Sequence, residues 1–355
     1  MPSSVAQLEA LVKEAAIEAG FDLAGIAPAR LGDSRELRFF SDWIAAGRAG
    51  EMAYLEARDD QRRLKRASLE HVAPWARSVI VCGLNYNTAH PRSTEYHDPE
   101  RGWISRYAWG PADYHEVVMD RLRRVEARLR EAVADPALET RCYVDTGPVV
   151  ERVFAAYAGV GWIGKNTCLI NQRLGSWLFL GVILTSLELA PDLPALDRCG
   201  SCTRCLDACP TQAFVAPHEL DATRCISYLT IEKRGAIPEE LGPDMGNHVF
   251  GCDICQDVCP WNRKAPASSA PEFQPHPERV HPALVWLACL SEEDFRAAFR
   301  GSPIRRAKRS GLRRNAVVAM GNSGQRGFVP LLRQLVHDSD PVVAEHAEWA
   351  LRRLG

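Results

Sequence analysis

Cysteine spacing carries the clearest chemical signal in this sequence. The chain has 12 cysteines, and Cys199-x2-Cys202-x2-Cys205-x3-Cys209-Pro210 is the full run by which bacterial ferredoxins wrap cubane clusters. Three thiolates at this spacing close on one face of one [4Fe–4S] cluster, and the fourth points away to ligate the other. A second run, Cys252-x2-Cys255-x3-Cys259-Pro260, has the same ending but lacks its first cysteine, for which Cys225 is the natural substitute. The wiring then closes. One cluster takes Cys199, Cys202, Cys205 and Cys259, and the other takes Cys209, Cys225, Cys252 and Cys255. Two structural zinc sites could use the same thiols, but zinc ligands usually come as separated CxxC pairs. Cys82, Cys142, Cys168 and Cys289 are scattered in apolar or strand contexts and read as small buried residues. Two such clusters imply electron transfer. A bare ferredoxin needs only about 60–80 residues of this pattern, so the rest of the chain has another purpose.

The elements that must position this chemistry fall into three compositional blocks. Residues 1–190 alternate helical and strand patterns: helices at 5–19, 115–133 and 149–158, strands at 78–84, 141–145 and 177–184. This is an α/β or α+β domain whose strand order periodicity does not give. Residues 191–265 are rich in Cys and Pro and poor in periodicity, so metal would replace regular core packing there. Residues 265–282, with their prolines, read as a linker. From 284 the chain is helical. Ser291 with Asp294 resembles a capping box, and amphipathic helices follow at 315–320, 328–336 and 342–354, the last begun by Asp340-Pro341. This resembles one to two HEAT-type repeats. The expected domains are therefore 1–190, 191–265 and 266–355.

Composition bounds the rest. Of 355 residues, 46% are hydrophobic and 25% charged, ordinary globular values, and a net charge of −2 gives no reason to expect a polyanionic partner except through a local patch. Residues 1–20 read as an amphipathic helix without the basic start of a secretion signal. No apolar run reaches the roughly 18–20 residues of a membrane helix. A cytoplasmic, non-membrane, monomeric protein is expected. The local patch is at 300–314 (RGSPIRRAKRSGLRR), where Arg305, Arg306, Lys308 and Arg309 are the candidates for phosphate contact; a basic helix face without a partner is the alternative. Asp145 ends an expected strand and starts the turn Thr146-Gly147-Pro148, where a carboxyl could deliver a proton or simply cap a turn. Lys165 follows a Gly-Trp-Ile-Gly turn, as a cation beside flexible backbone or as a solvated loop residue.

Several strings occur together: ISRYAWG at 104–110 followed by Asp113-Tyr114-His115, VDTGPVVER at 144–152, GWIGKN at 161–166, CISYLTIE at 225–232 and GCDICQDVCPWN at 251–262. In this combination the chain resembles the epoxyqueuosine reductase family from about residue 5 to residue 355. The resemblance implies a cobalamin-binding N-terminal α/β domain, a bacterial ferredoxin-like two-[4Fe–4S] domain and a C-terminal HEAT-like α-helical domain facing tRNA. It implies two-electron removal of the epoxide oxygen from epoxyqueuosine at the tRNA wobble position, giving queuosine, with electrons from a donor such as flavodoxin or ferredoxin. Asp145 takes the family's proton-donor position. Arg66, Tyr107, Ala108, Asp145, Gly164, Lys165, Asn166, Ser176 and Ser227 take cofactor positions. The basic run containing Arg66 is alternatively a solvated helix face. Family cobalamin binding uses no histidine ligand, and no DxHxxG string is present here. Two other classes compete: a corrinoid reductase of a small molecule, akin to reductive dehalogenases, and a non-catalytic electron-transfer module. The basic helical end argues against the first and the large N-terminal domain against the second.

Overall fold

The computed structural model describes residues 5–32 and 34–355; residues 1–4 of the expected first helix lie outside it. The chain divides into two units built from interleaved stretches. The first takes residues up to 87, 114–203 and 260–267, and the second takes 88–113, 204–259 and 268–355. Packing thus groups the chain differently from the three consecutive blocks that composition suggests, because each unit borrows segments distant in sequence.

The first unit is a four-stranded sheet with helices on it. Strands β1 (Leu23–Pro28), β2 (Ser78–Asn85), β3 (Thr140–Tyr143) and β4 (Leu178–Thr185) lie in the order β1-β2-β4-β3. Every pairing is antiparallel, so this unit is α+β and not a parallel α/β sheet. All eight residues of β2 are buried, which explains its unbroken apolar string. Helix α1 (Val5–Glu18) and helix α3 (Tyr114–Val133) pack together, α3 burying Val118, Leu122, Val125 and Leu129 at helical spacing. Helix α2 (Arg35–Ala45), capped by Ser34, was not evident in the sequence. Helix α4 (Glu151–Tyr157) packs on β1, β2 and β4. The strand expected at 141–145 stops at Tyr143. The antiparallel register places its exit at the end where β2 finishes and β4 begins. Asp145 therefore stands in a loop beyond the sheet.

In the second unit the cysteine-rich stretch is ordered around helix α5 (Ile226–Ile231) and the short parallel pair of His248–Phe250 with Trp103–Ile104. Helices α6 (Leu284–Ala288), α7 (Glu292–Ala298), α8 (Lys308–Asn322), α9 (Val329–Leu335) and α10 (Pro341–Leu354) follow. Ser291 and Asp340 cap α7 and α10 as expected. Helix α8 is longer than the helix expected at 315–320 and buried on every side from Gly311 to Gly321, packing on α5, α6 and α10. The expected linker is packed instead: Phe273 and Val280 are buried, His276 N donates to Trp109 O at 2.9 Å, and buried Arg279 donates to Gly110 O. Its prolines start short helical turns rather than break structure. Among the described residues no helix is long and apolar enough to cross a membrane.

Candidate functional site

Asp145 sits at the apex of a three-residue turn. Thr146 N donates to Val144 O at 2.5 Å, and Asp145 has φ +55°. A non-glycine residue there costs roughly 1–2 kcal/mol, and aspartate is among the few that tolerate it. Two residues on, Gly147 keeps the loop tight, since a Cβ there would meet the Tyr143 ring at 2.4 Å. The carboxylate points outward, its side chain 61% exposed, and accepts from Tyr114 Oη at 3.0 Å with His115 Nε2 at 3.5 Å. Both partners open α3. Tyr114 is stacked face to face on Phe179 at 4.3 Å, and Phe179 packs on Tyr86 at 4.4 Å. The sheet thus fixes the phenol that fixes the carboxylate. Tyr114 and His115 stood in the family string, but nothing in their spacing linked them to residue 145.

A second carboxyl lies behind the first. Glu151 begins α4, and its Oε1 is buried without a hydrogen-bond partner among the described residues. Burial pushes its pKa up to about 7; the Asp145 charge adds to the rise, while Arg66 and Arg152 oppose it. Arg66, in the 3-10 turn Lys65–Ala67, donates from Nη1 to Val149 O at 3.0 Å. It is therefore fixed on a turn and is not part of a solvated helix face. Arg152 donates to Thr167 O at 2.6 Å. Asp145, Glu151, Arg66 and Arg152 form one electrostatic group, of which the sequence reading assigned roles to Asp145 and Arg66.

The GWIGKN string is a hairpin pairing Trp162–Ile163 with Leu169–Ile170. A Cβ on Gly164 would meet Ile170 Cδ1 at 2.4 Å, so internal packing already accounts for that glycine. Lys165 is not a free loop cation: Nζ donates to Gly200 O at 2.7 Å and Cys202 O at 3.0 Å, within the first cysteine run. Asn166 is buried and accepts from Cys168 N at 3.3 Å. Ser176 is also turned inward, exchanging hydrogen bonds with Asn262 at 2.7 and 2.9 Å.

Among the described residues no two cysteines are joined in a disulfide. Burial pushes the Cys199 thiol up, while the Lys165 backbone and the Trp162 side chain favour its thiolate. In the second unit, burial raises the Cys252 thiol most, with Cys225 and then Cys209 adding to it through their charge. Three of the four thiols expected to share one cluster are therefore electrostatic neighbours. Among the described residues no group of three or more His, Cys, Asp or Glu side chains is set to hold a single metal ion. Ala108 is fully buried, and half-buried Tyr107 packs on Phe250 at 5.9 Å. Ser227 lies in α5, where its carbonyl accepts from Thr230 Oγ1 at 3.3 Å. Of the remaining cysteines, Cys82 is buried and Cys142 is pushed up to about 12 by burial, but Cys289 is exposed at the end of α6, against expectation.

The basic run divides in two. Arg314 is wholly buried and donates to Leu229 O, Lys233 O and Gly235 O at 2.6–2.9 Å, clamping the end of α5. Arg313 is buried on Ala288 O and forks onto Asp338. Arg306 pairs with Glu232, and Arg309 donates to Leu290 O at 3.0 Å with Glu292 at 3.4 Å. Arg305 and Lys308 are exposed. The patch available to a phosphate is thus smaller than the count of charges suggests.

Comparison with known proteins bears on this arrangement. Residues 198–262 match the model of a 4Fe-4S double cluster binding domain, and residues 66–146 match that described as epoxyqueuosine reductase QueG, DUF1730. The chain is 41% identical to an epoxyqueuosine reductase of Xanthomonas campestris over 98% of its length and 96% of the relative's. A crystal structure of an epoxyqueuosine reductase with an epoxyqueuosine-modified tRNA-Tyr stem loop aligns with TM-score 0.87 at 33% identity, covering 99% of this chain and 91% of that one. The Bacillus subtilis enzyme, with its catalytic aspartate loop swung out of the active site, aligns equally well at 32% identity, covering 99% and 91%.

Proposed function

The chain belongs to the epoxyqueuosine reductase family, and from that membership and its site we propose that it reduces epoxyqueuosine to queuosine in tRNA. The reaction consumes two electrons and two protons. Both C–O bonds of the epoxide break, a C=C bond forms, and the oxygen leaves as water. The observation that carries the reading is Asp145: an outward carboxylate on a strained turn, held by Tyr114 and His115, in a chain with a double-cluster domain.

The two [4Fe–4S] clusters supply electrons one at a time, with the ligand sets Cys199, Cys202, Cys205, Cys259 and Cys209, Cys225, Cys252, Cys255. The electrostatic grouping of Cys209, Cys225 and Cys252 supports the second set. A cobalamin, when bound, would supply a low-valent cobalt able to reduce the epoxide carbon skeleton. Arg66 suits the polar rim of such a cofactor, because beyond its bond to Val149 O its guanidinium has no further hydrogen-bond partner among the described residues. Tyr107 could offer its half-buried ring to a corrin face. Lys165, Asn166 and Ser176 have polar atoms spent within the protein and fit less well.

Asp145 delivers a proton to the departing oxygen, and its partners set where that proton is held. Tyr114 donates to Oδ2, and His115 Nε2 stands 3.5 Å from the same oxygen. Glu151, protonated up to about pH 7, lies behind Asp145 and could restore its proton after turnover. Leading into the last helices, read as a HEAT-type repeat, exposed Arg305 on the 3-10 turn Pro303–Ala307 and Lys308 at the start of α8 serve as phosphate contacts for the anticodon stem loop. The enzyme is read as a cytoplasmic monomer fed by a flavodoxin or ferredoxin.

The test is anaerobic. Reduced, cluster-loaded enzyme is mixed with cobalamin and tRNA bearing epoxyqueuosine, and the digested nucleosides are weighed by mass spectrometry. Loss of one oxygen only when cobalamin is present is the expected result. An unchanged nucleoside, with iron and sulfide confirmed for two clusters, would reject the tRNA substrate.

A further inference from the structure

The hairpin that carries Trp162 reaches the first cysteine run through the side chain of Lys165. The Lys165 ammonium reaches across 35 and 37 residues of sequence to the carbonyls of Gly200 and Cys202. A full positive charge is thereby fixed against the peptide that spans Cys199 and Cys202. The main chain of the same lysine and the Trp162 indole both favour the thiolate form of Cys199. Trp162 is 4% exposed, and its Nε1 has no hydrogen-bond partner among the described residues. A buried N–H left without an acceptor is costly. A cluster ligated by Cys199 would offer thiolate and sulfide acceptors to it. The indole is held by Trp261, packed edge-on at 5.0 Å and 77°.

We propose that Lys165 and Trp162 raise the reduction potential of the cluster bound by Cys199 and Cys202. One-electron reduction adds a negative charge to the cluster. A fixed cation and N–H···S hydrogen bonds stabilise the more negative state, and both are recognised levers on cluster potential. Charge at Lys165 is therefore a positioning and tuning element for electron entry. A lysine that only braced the 200–202 loop would leave the potential untouched once the cluster had assembled.

The inference rests on the reading that Cys199 and Cys202 ligate a cubane. Iron and sulfide analysis and the EPR spectrum of the reduced wild-type enzyme report that premise separately. Wild type with fewer than two clusters would sink the premise rather than the tuning. The tuning is read by EPR-monitored redox titration of the loaded enzyme without tRNA. Lys165→Met should make reduction of one cluster at least tenfold less favourable, a shift of about 59 mV to more negative potential for a one-electron couple, and leave the other unchanged. Lys165→Arg should keep most of the wild-type value, and Trp162→Phe should shift the same cluster in the same direction by less. Two fully assembled clusters with wild-type midpoints in Lys165→Met would overturn the proposal. Should that variant fail to assemble its cluster, Trp162→Phe decides: an unshifted midpoint there overturns it equally.

Discussion

Replacing Glu151 by glutamine tests the electrostatics behind Asp145 without touching substrate. Burial raises the Glu151 pKa from 4.5 to about 7. Each pH unit of displacement corresponds to about 1.4 kcal/mol, so keeping this residue ionised in place costs up to about 3 kcal/mol. The sign follows from proton counting. Between about pH 4.5 and 7 the folded carboxyl holds its proton and the solvated one has lost it, so stability falls as pH rises through that window and levels off above it. Glu151→Gln keeps the shape and removes the charge. At pH 8 the variant should gain roughly 1–3 kcal/mol in local opening free energy, and below pH 4.5 it should gain nothing. Native-state hydrogen exchange at the α4 amides, followed from pH 4.5 to 8, reads this locally without requiring whole-protein two-state unfolding. Parallel pH profiles for variant and wild type would refute the argument, because they would mean Glu151 titrates as a solvated carboxyl. Asp145→Asn supplies the internal control: removing that neighbouring charge should move the Glu151 midpoint down.

Further outcomes can be checked independently. Asp145→Ala should lower epoxide reduction about 10²–10⁴-fold or more while iron and sulfide content stay at wild-type level; single-turnover product analysis measures it, and full turnover would remove the proton-donor role. Tyr114→Phe leaves the stack on Phe179 but deletes the donor to Asp145, so turnover should fall by less than for Asp145→Ala, and pre-steady-state rates separate the two. Changing Arg305 and Lys308 together to glutamine should weaken binding to the tRNA stem loop and flatten the slope of log affinity against log salt by up to about 1.4 if each contacts one phosphate. An unaltered slope would take that patch off the RNA surface. Arg313→Ala should instead destabilise the helical end by about 3–5 kcal/mol by stranding Asp338, with little specific effect on the salt slope; thermal melting distinguishes the two.

What could be read in advance divides along a physical line. Cysteine spacing is local, since ligands three or four residues apart must share a cluster face, and the match at 198–262 agrees with it. Helices α1 and α3 and strands β2 and β4 were legible because their apolar periods are unbroken. Strand β1 was not, because LAGIAP is short, poor in β-branched residues and made a strand only by its partner β2. Sheet order stayed hidden for the same reason: β2 and β4 pair across about 100 residues of chain, and no local pattern encodes that choice.

Charged residues show the limit most clearly, because a sequence displays a charge but not what answers it. Seven basic residues between 300 and 314 looked like one surface, yet Arg313 and Arg314 lie in the middle of a helix buried all round, where a guanidinium is tolerated only because carbonyls and a carboxylate take its donors. A cue was available: Arg313, Arg314 and Asn315 directly precede the apolar run Ala316–Met320, so a helix extended backward through them must bury at least part of that polar cluster. Lys165 had no such cue, since its acceptors at Gly200 and Cys202 lie in a loop with no periodicity to align it. Asp145 is intermediate. The turn was legible from Thr146-Gly147-Pro148, but the positive φ fell on the aspartate rather than the glycine, because the glycine is needed where the chain crosses the Tyr143 ring. That placement puts the strained backbone on the residue proposed to move the proton, so Gly147→Ala, which must push the loop off Tyr143, should disturb Asp145 itself. Its turnover should drop toward that of Tyr114→Phe while the sheet stays folded, and wild-type turnover with an intact near-UV spectrum would show that the turn does not set the carboxylate's position.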